Sequence, residues 1–163
     1  MPKDKEKDVK TNAMRILENL QVPFEVITYT CDGFSDGVTL AKELGQPVES
    51  TFKTLIGQGK SGGYFAFVIP VAAELDLKAA ARAVGEKAVE LIPLKDLFKV
   101  TGYIRGGCTA IGMKKDYPTV IDETCVLFDR IMVSGGRIGS QIKLSPDDYI
   151  RATGAKCLPI IFA

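Results

Sequence analysis

The sequence predicts an α+β fold, a mixed, barrel-like β-sheet with flanking helices. Three observations support that class. Helical and strand-like stretches are interleaved without the regular βαβ alternation of a doubly wound sheet. Gly, Pro, Asp and Ser stand at the ends of most periodic segments, which marks short elements joined by tight connections. Apolar residues make up 46% of the 163 residues and charged residues 25%, a balance that supports one packed core. No repeat, linker or low-complexity tract divides the chain. Residues 9–163 therefore form a single expected domain behind a charged tail at 1–8.

The elements follow in order. Val9, Ala13, Ile16, Leu17 and Leu20 recur at the spacing of one helical face. After Pro23, Phe24, Val26 and Thr28 alternate with Glu25, Ile27 and Tyr29 as in a strand. A turn-rich CDGFSDG stretch leads to a short helix over 38–44, ended by Gly45 and Pro47. Residues 51–56 and 64–69 favour strand, with GQGKSGG between them as a hairpin tip. Asp76 is the expected N-cap of a helix over 77–84, which Gly85 closes. A short strand at 89–92 precedes a helical turn that Pro93 starts and that reaches Val100. The block TGYIRGGCTAIG is too glycine-dense to be regular throughout. Strands are expected at 119–121, 130–134 and 142–144. Ser145 and Pro146 open a last helix, Asp147 and Asp148 suit its positive end, and Gly154 stops it. Residues 157–162 form a closing apolar strand.

Composition excludes several functions. The net charge of +1 exerts no global pull on a polyanion, so nucleic-acid contact needs a local basic cluster. The chain has no His, which removes Ser–His–Asp and Cys–His catalysis and most zinc sites. Cys31, Cys108, Cys125 and Cys157 form no CxxC pair, and reduced thiols are the expected state, with no metal and no cofactor. The longest apolar run, at 64–73, contains Pro70 and is too short to cross a bilayer. The first ten residues lack a secretion signal, so the expected location is the cytoplasm.

Some motifs lose their force on inspection. GQGKSG at 57–62 matches a dinucleotide-binding pattern, but that chemistry needs a following helix and YFAFVIP predicts a strand. Ser134 in VSGG has no His to activate it. Cys108 beside Arg105 is either a nucleophile or a small packing residue. Lys114, Lys115, Arg105, Arg137 and Lys143 are either solvated charges or a basic rim for phosphate.

Three separated segments carry more. Lys53 and Thr54 lie in an apolar strand, where an ammonium belongs at an edge or facing a pocket. Gly102-Tyr103-Ile104-Arg105-Gly106-Gly107 and Ser134-Gly135-Gly136-Arg137 hold glycine pairs that let backbone approach a ligand closely. Together, with IPVAAELDLKAAARAVG and PTVID, these segments resemble the YbaK/prolyl-tRNA synthetase-associated editing domain family over nearly the whole chain. The resemblance implies a cytoplasmic deacylase that hydrolyses mischarged aminoacyl-tRNA, chiefly Cys-tRNA(Pro). Its implied partners are the tRNA 3′ end and prolyl-tRNA synthetase, with no membrane and no DNA.

Carried residue by residue, the resemblance gives Lys53 the terminal phosphate or ribose. It assigns the aminoacyl ester to Gly106, Gly107 and the following amides of Cys108 and Thr109. Tyr29 is implied near the terminal adenosine, and Ser134, Gly135 and Gly136 form a second wall. Thr54, Gly102, Tyr103, Arg105 and Arg137 complete the implied substrate-binding set. Two departures stand out. Cys108-Thr109-Ala110 replaces the family's x-Ser-Pro, and Gln141 stands where members carry Asp. An ester is already activated, so backbone donors with water, or with the substrate's own thiol, suffice without a His. The alternative is a module that binds tRNA or a nucleotide, or docks on a synthetase, without catalysis.

Overall fold

The computed structural model describes residues 10–30 and 36–162. The periodic segment after the tail forms α1, Asn12–Asn19, with the Thr11 hydroxyl accepting from the Met14 amide as its cap. The expected first strand is β1, Glu25–Thr28, and the helix after it is α2, Gly37–Glu43, capped by Asp36. The CDGFS part of the expected turn lies outside the described residues. The hairpin pair is β2, Phe52–Gly59, and β3, Tyr64–Pro70, so GQGKSGG is mostly strand and tip, with no helix behind it.

Helix α3, Leu77–Val84, begins at Asp76, whose carboxylate accepts from the Lys78 and Ala79 amides, and it ends at left-handed Gly85. Strand β4, Val89–Leu91, runs into a 3-10 turn, Leu94–Asp96, and α4, Leu97–Thr101. Thr101, the first residue of the glycine-dense block, ends α4, and the rest of the block, 102–112, contains no helix or strand. Strand β5, Thr119–Asp122, is followed by a 3-10 turn, Glu123–Leu127, that periodicity does not reveal. Strands β6, Ile131–Arg137, and β7, Ser140–Leu144, make a second hairpin. Helix α5, Pro146–Thr153, has the expected Ser145 cap and Gly154 stop. The closing strand β8, Lys156–Leu158, is shorter than expected because Pro159 interrupts it, although Ile161 still bridges to Leu75.

The α+β class holds, and the pairing is mixed: β3–β5 and β5–β8 are parallel and the others antiparallel. The strands divide into a five-stranded sheet, β4-β2-β3-β5-β8, and a three-stranded sheet, β1-β7-β6. A parallel bridge between Thr51 and Met132 joins them, with the Met132 amide donating to the Ser50 carbonyl at 2.9 Å. Among the described residues the strands close no barrel.

Strand alternation distributes the core. Phe52, Ile56, Ala66, Val68 and Ile121 point into a larger cluster with Ile131, Val133, Ile142 and Leu144 of the small sheet, filled by α1 and by Tyr149 of α5. Phe65, Phe67, Ile69 and Val120 point the other way, under Ala80 and Ala81 of α3. Strand β3 is thus buried on both faces, which explains its unbroken apolar run.

Candidate functional site

Between its two partners, β2 is left open. Thr51 precedes it and bridges to β6, while Gly57 to Gly59 pair with β4 and the Ile56 carbonyl accepts from the Ile92 amide at 3.0 Å. From Lys53 to Leu55 this edge has no strand neighbour among the described residues. A cleft of about 490 Å³ opens there. Its walls come from five further segments: Asp36, Gly37 and Leu40 at the start of α2, Val71 after β3, residues 91–97, the 105–108 loop, and Ser134 with Gln141 from the β6–β7 hairpin. Because the wall is a strand edge, side chains from both faces of β2 reach it. Lys53 and Leu55 come from one face and Thr54 from the other.

The loop is held by its own polar groups. The Thr101 hydroxyl donates to the Leu97 carbonyl at 2.8 Å and accepts from the Tyr103 amide at 3.0 Å. The Tyr103 hydroxyl donates to the Ile111 carbonyl, and the Gly107 amide donates to the Ile104 carbonyl at 2.9 Å. Gly107 also packs on the other hairpin: a Cβ there would lie 2.8 Å from Arg137 Cα. This contact puts Gly106 and Cys108 in the wall opposite the β2 edge.

The aminoacyl-tRNA editing domain family matches residues 35–152. A provisionally named Cys-tRNA(Pro)/Cys-tRNA(Cys) deacylase of Enterococcus faecalis, EbsC, is 42% identical over 148 residues, covering 90% of each chain. The chain belongs to the aminoacyl-tRNA editing domain family. Solved structures agree on the fold. One, of a provisional trans-editing enzyme for prolyl-tRNA synthetase, has a TM-score of 0.81 at 21% identity and covers 96% of this chain and all of its own. Another, the hypothetical protein APE2540, has a TM-score of 0.84 at 22% identity and covers 93% of this chain and all of its own.

Within this editing domain, Lys53, Thr54, Arg105, Gly106, Cys108 and Ser134 line one cleft. The remaining residues expected at the site do not line this cleft. Thr109 is fully buried, and Gly102 caps α4 with φ 84°. Gly135 accepts from the Thr11 hydroxyl through its carbonyl, and the Gly136 amide donates to Ser134 Oγ at 3.2 Å. Gly136 also stands against Thr11 and the Tyr103 ring. Arg137 closes β6 against Gly107, and VSGGR lies inside that strand, with a register shift between Ser134 and Arg137. The Tyr29 amide donates to the Gly139 carbonyl at 3.0 Å, just past the end of β1, where Ile27 pairs with the cleft-lining Gln141.

The sequence reading missed the apolar walls at Leu40, Val71, Leu94 and Leu97, which looked like ordinary core positions. It noted Gln141 without placing it in the site. Gln141 faces the cleft because β6–β7 pairing sets it opposite Ser134. Among the described residues no group of three or more Cys, Asp or Glu side chains is placed to hold a metal ion.

Lys53 and Arg105 supply positive charge to the cleft, and Asp36 turns its carboxylate to the α2 amides, accepting from Thr39 at 2.9 Å. Beneath Thr54 lies the fully buried Tyr149 phenol, whose pKa burial pushes up while the Thr54 hydroxyl beside it pulls the other way. Burial pushes the Cys108 thiol up to about 12, with the neighbouring Thr101 side chain opposing the shift. At neutral pH this thiol is therefore protonated, not the thiolate a nucleophile needs. Cys108→Ala is expected to change deacylation by no more than about threefold, against the orders of magnitude lost with a nucleophile. A hundredfold loss in a folded variant would restore the nucleophile reading.

The same burial sets an alkaline limit on stability. Cys125 and Tyr103 are also held up at about 12, from ordinary values of 9.0 and 10.0, chiefly by burial. Each group stays neutral in the fold but ionises earlier in the unfolded chain. Its contribution is intact below the unfolded pKa and is lost as pH rises toward 12. Thermal midpoints are expected to fall from about pH 9 upward, and Cys108→Ala or Cys125→Ala to fall less steeply than the parent. Parallel slopes for parent and variants would contradict this.

Proposed function

We propose that this protein hydrolyses mischarged aminoacyl-tRNA in trans, with Cys-tRNA(Pro) as its principal substrate. The observation that carries the reading is the convergence of Lys53, Arg105 and the Gly106–Cys108 backbone on one cleft of an editing-domain chain. Lys53 and Arg105 hold the phosphate and ribose of the terminal nucleotide, where a cation offsets phosphate charge. The apolar wall of Leu94, Leu97 and Val71 takes the base or the amino-acid side chain. With the Gly107 amide bonded to Ile104, the amides of Gly106 and Cys108 are left as loop donors for the oxyanion.

One well-placed donor of this kind contributes about 2.7–4 kcal/mol to the transition state. In the water route the water oxygen bonds to the ester carbonyl carbon, the bond from that carbon to the ribose oxygen breaks, and a proton from the water ends on the departing ribose oxygen. In the cysteinyl route the substrate thiol forms an S–C bond to its own carbonyl, the same C–O bond breaks, and the thiol proton ends on the departing ribose oxygen. Neither route asks the protein for a side-chain nucleophile. That suits a chain without His. The work is done in the cytoplasm, where tRNA is charged, and in company with prolyl-tRNA synthetase, whose tRNA affinity supplements a protein of net charge +1.

A panel of mischarged tRNAs tests the assignment. Cys-tRNA(Pro) is expected to be deacylated faster than Ala-tRNA(Pro) and far faster than the spontaneous rate. Gln141, a neutral amide in the cleft wall, favours a second reading, a pocket that binds the 3′ end without hydrolysing it. Slower hydrolysis than in buffer alone identifies that binder.

A further inference from the structure

Beyond the cleft, its apolar wall continues onto the surface. Leu91 and Leu94 line the cleft, yet they are 46% and 59% exposed, and Phe98 is 59% exposed. Leu94 and Phe98 stand four residues apart across the 3-10 turn and α4, and Leu97 between them turns inward to the same cleft. The Lys114 ammonium lies 5.2 Å from the Phe98 ring centroid and donates to the Lys99 carbonyl at 3.3 Å. Lys95 and Lys99 lie on the same short segment as Leu94 and Phe98, and Asp96 pairs with Lys99 at 3.9 Å. Ile104, 53% exposed, precedes Arg105, which also lines the cleft.

We infer that the Leu91–Leu94–Phe98 ledge is a stacking surface for the single-stranded nucleotides that precede the terminal nucleotide in the cleft. The inference rests on the function proposed above and extends it from the ester to the strand carrying it. An aromatic ring among lysines is the combination that single-stranded nucleic acid uses, bases stacking on the ring while cations follow the phosphates. Continuity decides for RNA over a protein partner. A strand whose last nucleotide occupies the cleft must leave across one of its lips, and this lip carries both apolar surface and positive charge.

The test compares a full-length substrate with a minimal one. Phe98→Ala is expected to raise KM for Cys-tRNA(Pro) about tenfold, the loss of one stacked base. It leaves kcat/KM for the cysteinyl ester of adenosine unchanged, because that substrate ends inside the cleft. Phe98→Trp restores KM and Phe98→Leu does not, and Leu also serves as the fold control. Binding of a single-stranded oligoribonucleotide ending in CCA, followed by fluorescence anisotropy, weakens with Phe98→Ala and loses part of its salt dependence with Lys114→Gln. The inference is overturned by equal loss on both substrates, by full rescue with Leu, as a protein-docking patch predicts, or by equal oligonucleotide affinity of parent and Phe98→Ala. The oligonucleotide arm needs no catalysis. A parent protein inactive on both esters therefore refutes the proposed function, while this arm still decides the ledge.

Discussion

Lys53→Ala is expected to lower kcat/KM for Cys-tRNA(Pro) by about a hundredfold or more while leaving the thermal midpoint nearly unchanged. Removing one member of a desolvated charge pair costs about 2–5 kcal/mol, and about 2.7 kcal/mol is already a hundredfold. The stability half of the prediction follows from what surrounds the residue. Lys53 is half-buried on the open edge of β2, and none of the ion pairs among the described residues involves it. Its ammonium therefore supports nothing in the fold, and its removal leaves no orphaned carboxylate. Lys53→Arg keeps the charge with a different reach and is expected to retain part of the activity. Steady-state deacylation with thermal melts of the three proteins checks both halves. Full activity in Lys53→Ala would sink the proposed site.

Gly107→Ala is the second large effect, with a different origin. The added Cβ would sit 2.8 Å from Arg137 Cα, 3.0 Å from its carbonyl carbon and 3.1 Å from the Ile138 nitrogen. All three neighbours are backbone, so no side chain can swing aside. The loop must retreat from the β6–β7 hairpin, and Gly106 and Cys108 retreat with it from Lys53. A displacement of about 1 Å at a reacting centre costs roughly a hundredfold in rate, and overpacking of this kind costs about 1–3 kcal/mol of stability. The expected result is a fall in kcat of that order with a lowered but cooperative melt. Gly63→Ala at the hairpin tip is the control: its Cβ would meet nothing closer than 3.6 Å, and activity and melting are expected to match the parent. A Gly107→Ala protein with parental kcat would show that the loop does not position the chemistry.

These two residues also show how far the site was legible. Lys53 was expected at an edge or facing a pocket, because an ammonium among Phe52, Thr54, Leu55 and Ile56 is costly to bury, and it stands on the open edge of β2 in the cleft wall. The glycines of the two loops were visible as places where backbone approaches something. What they approach was not. Gly107 meets Arg137, Gly136 meets Thr11 and Tyr103, and only Gly106 reaches the cleft wall. A glycine chosen for packing against another segment and one chosen for a ligand leave the same letter in the sequence. Leu94 and Leu97 were hidden for the opposite reason, since an apolar residue at helical spacing fits a core as well as a pocket.

Helix ends, strand alternation and the absence of histidine were settled by the order of residues alone. Asp76, Ser145, Gly85 and Gly154 act on amides and carbonyls within a few residues of themselves, so neighbours in the chain suffice to predict them. The cleft belongs to the tertiary structure. It exists because β6 joins the chain at Thr51 and β4 joins it from Gly57, leaving the edge between them without a partner. Pairing between distant strands depends on how two sheets bury their apolar faces against each other, and no local pattern of residues contains that information.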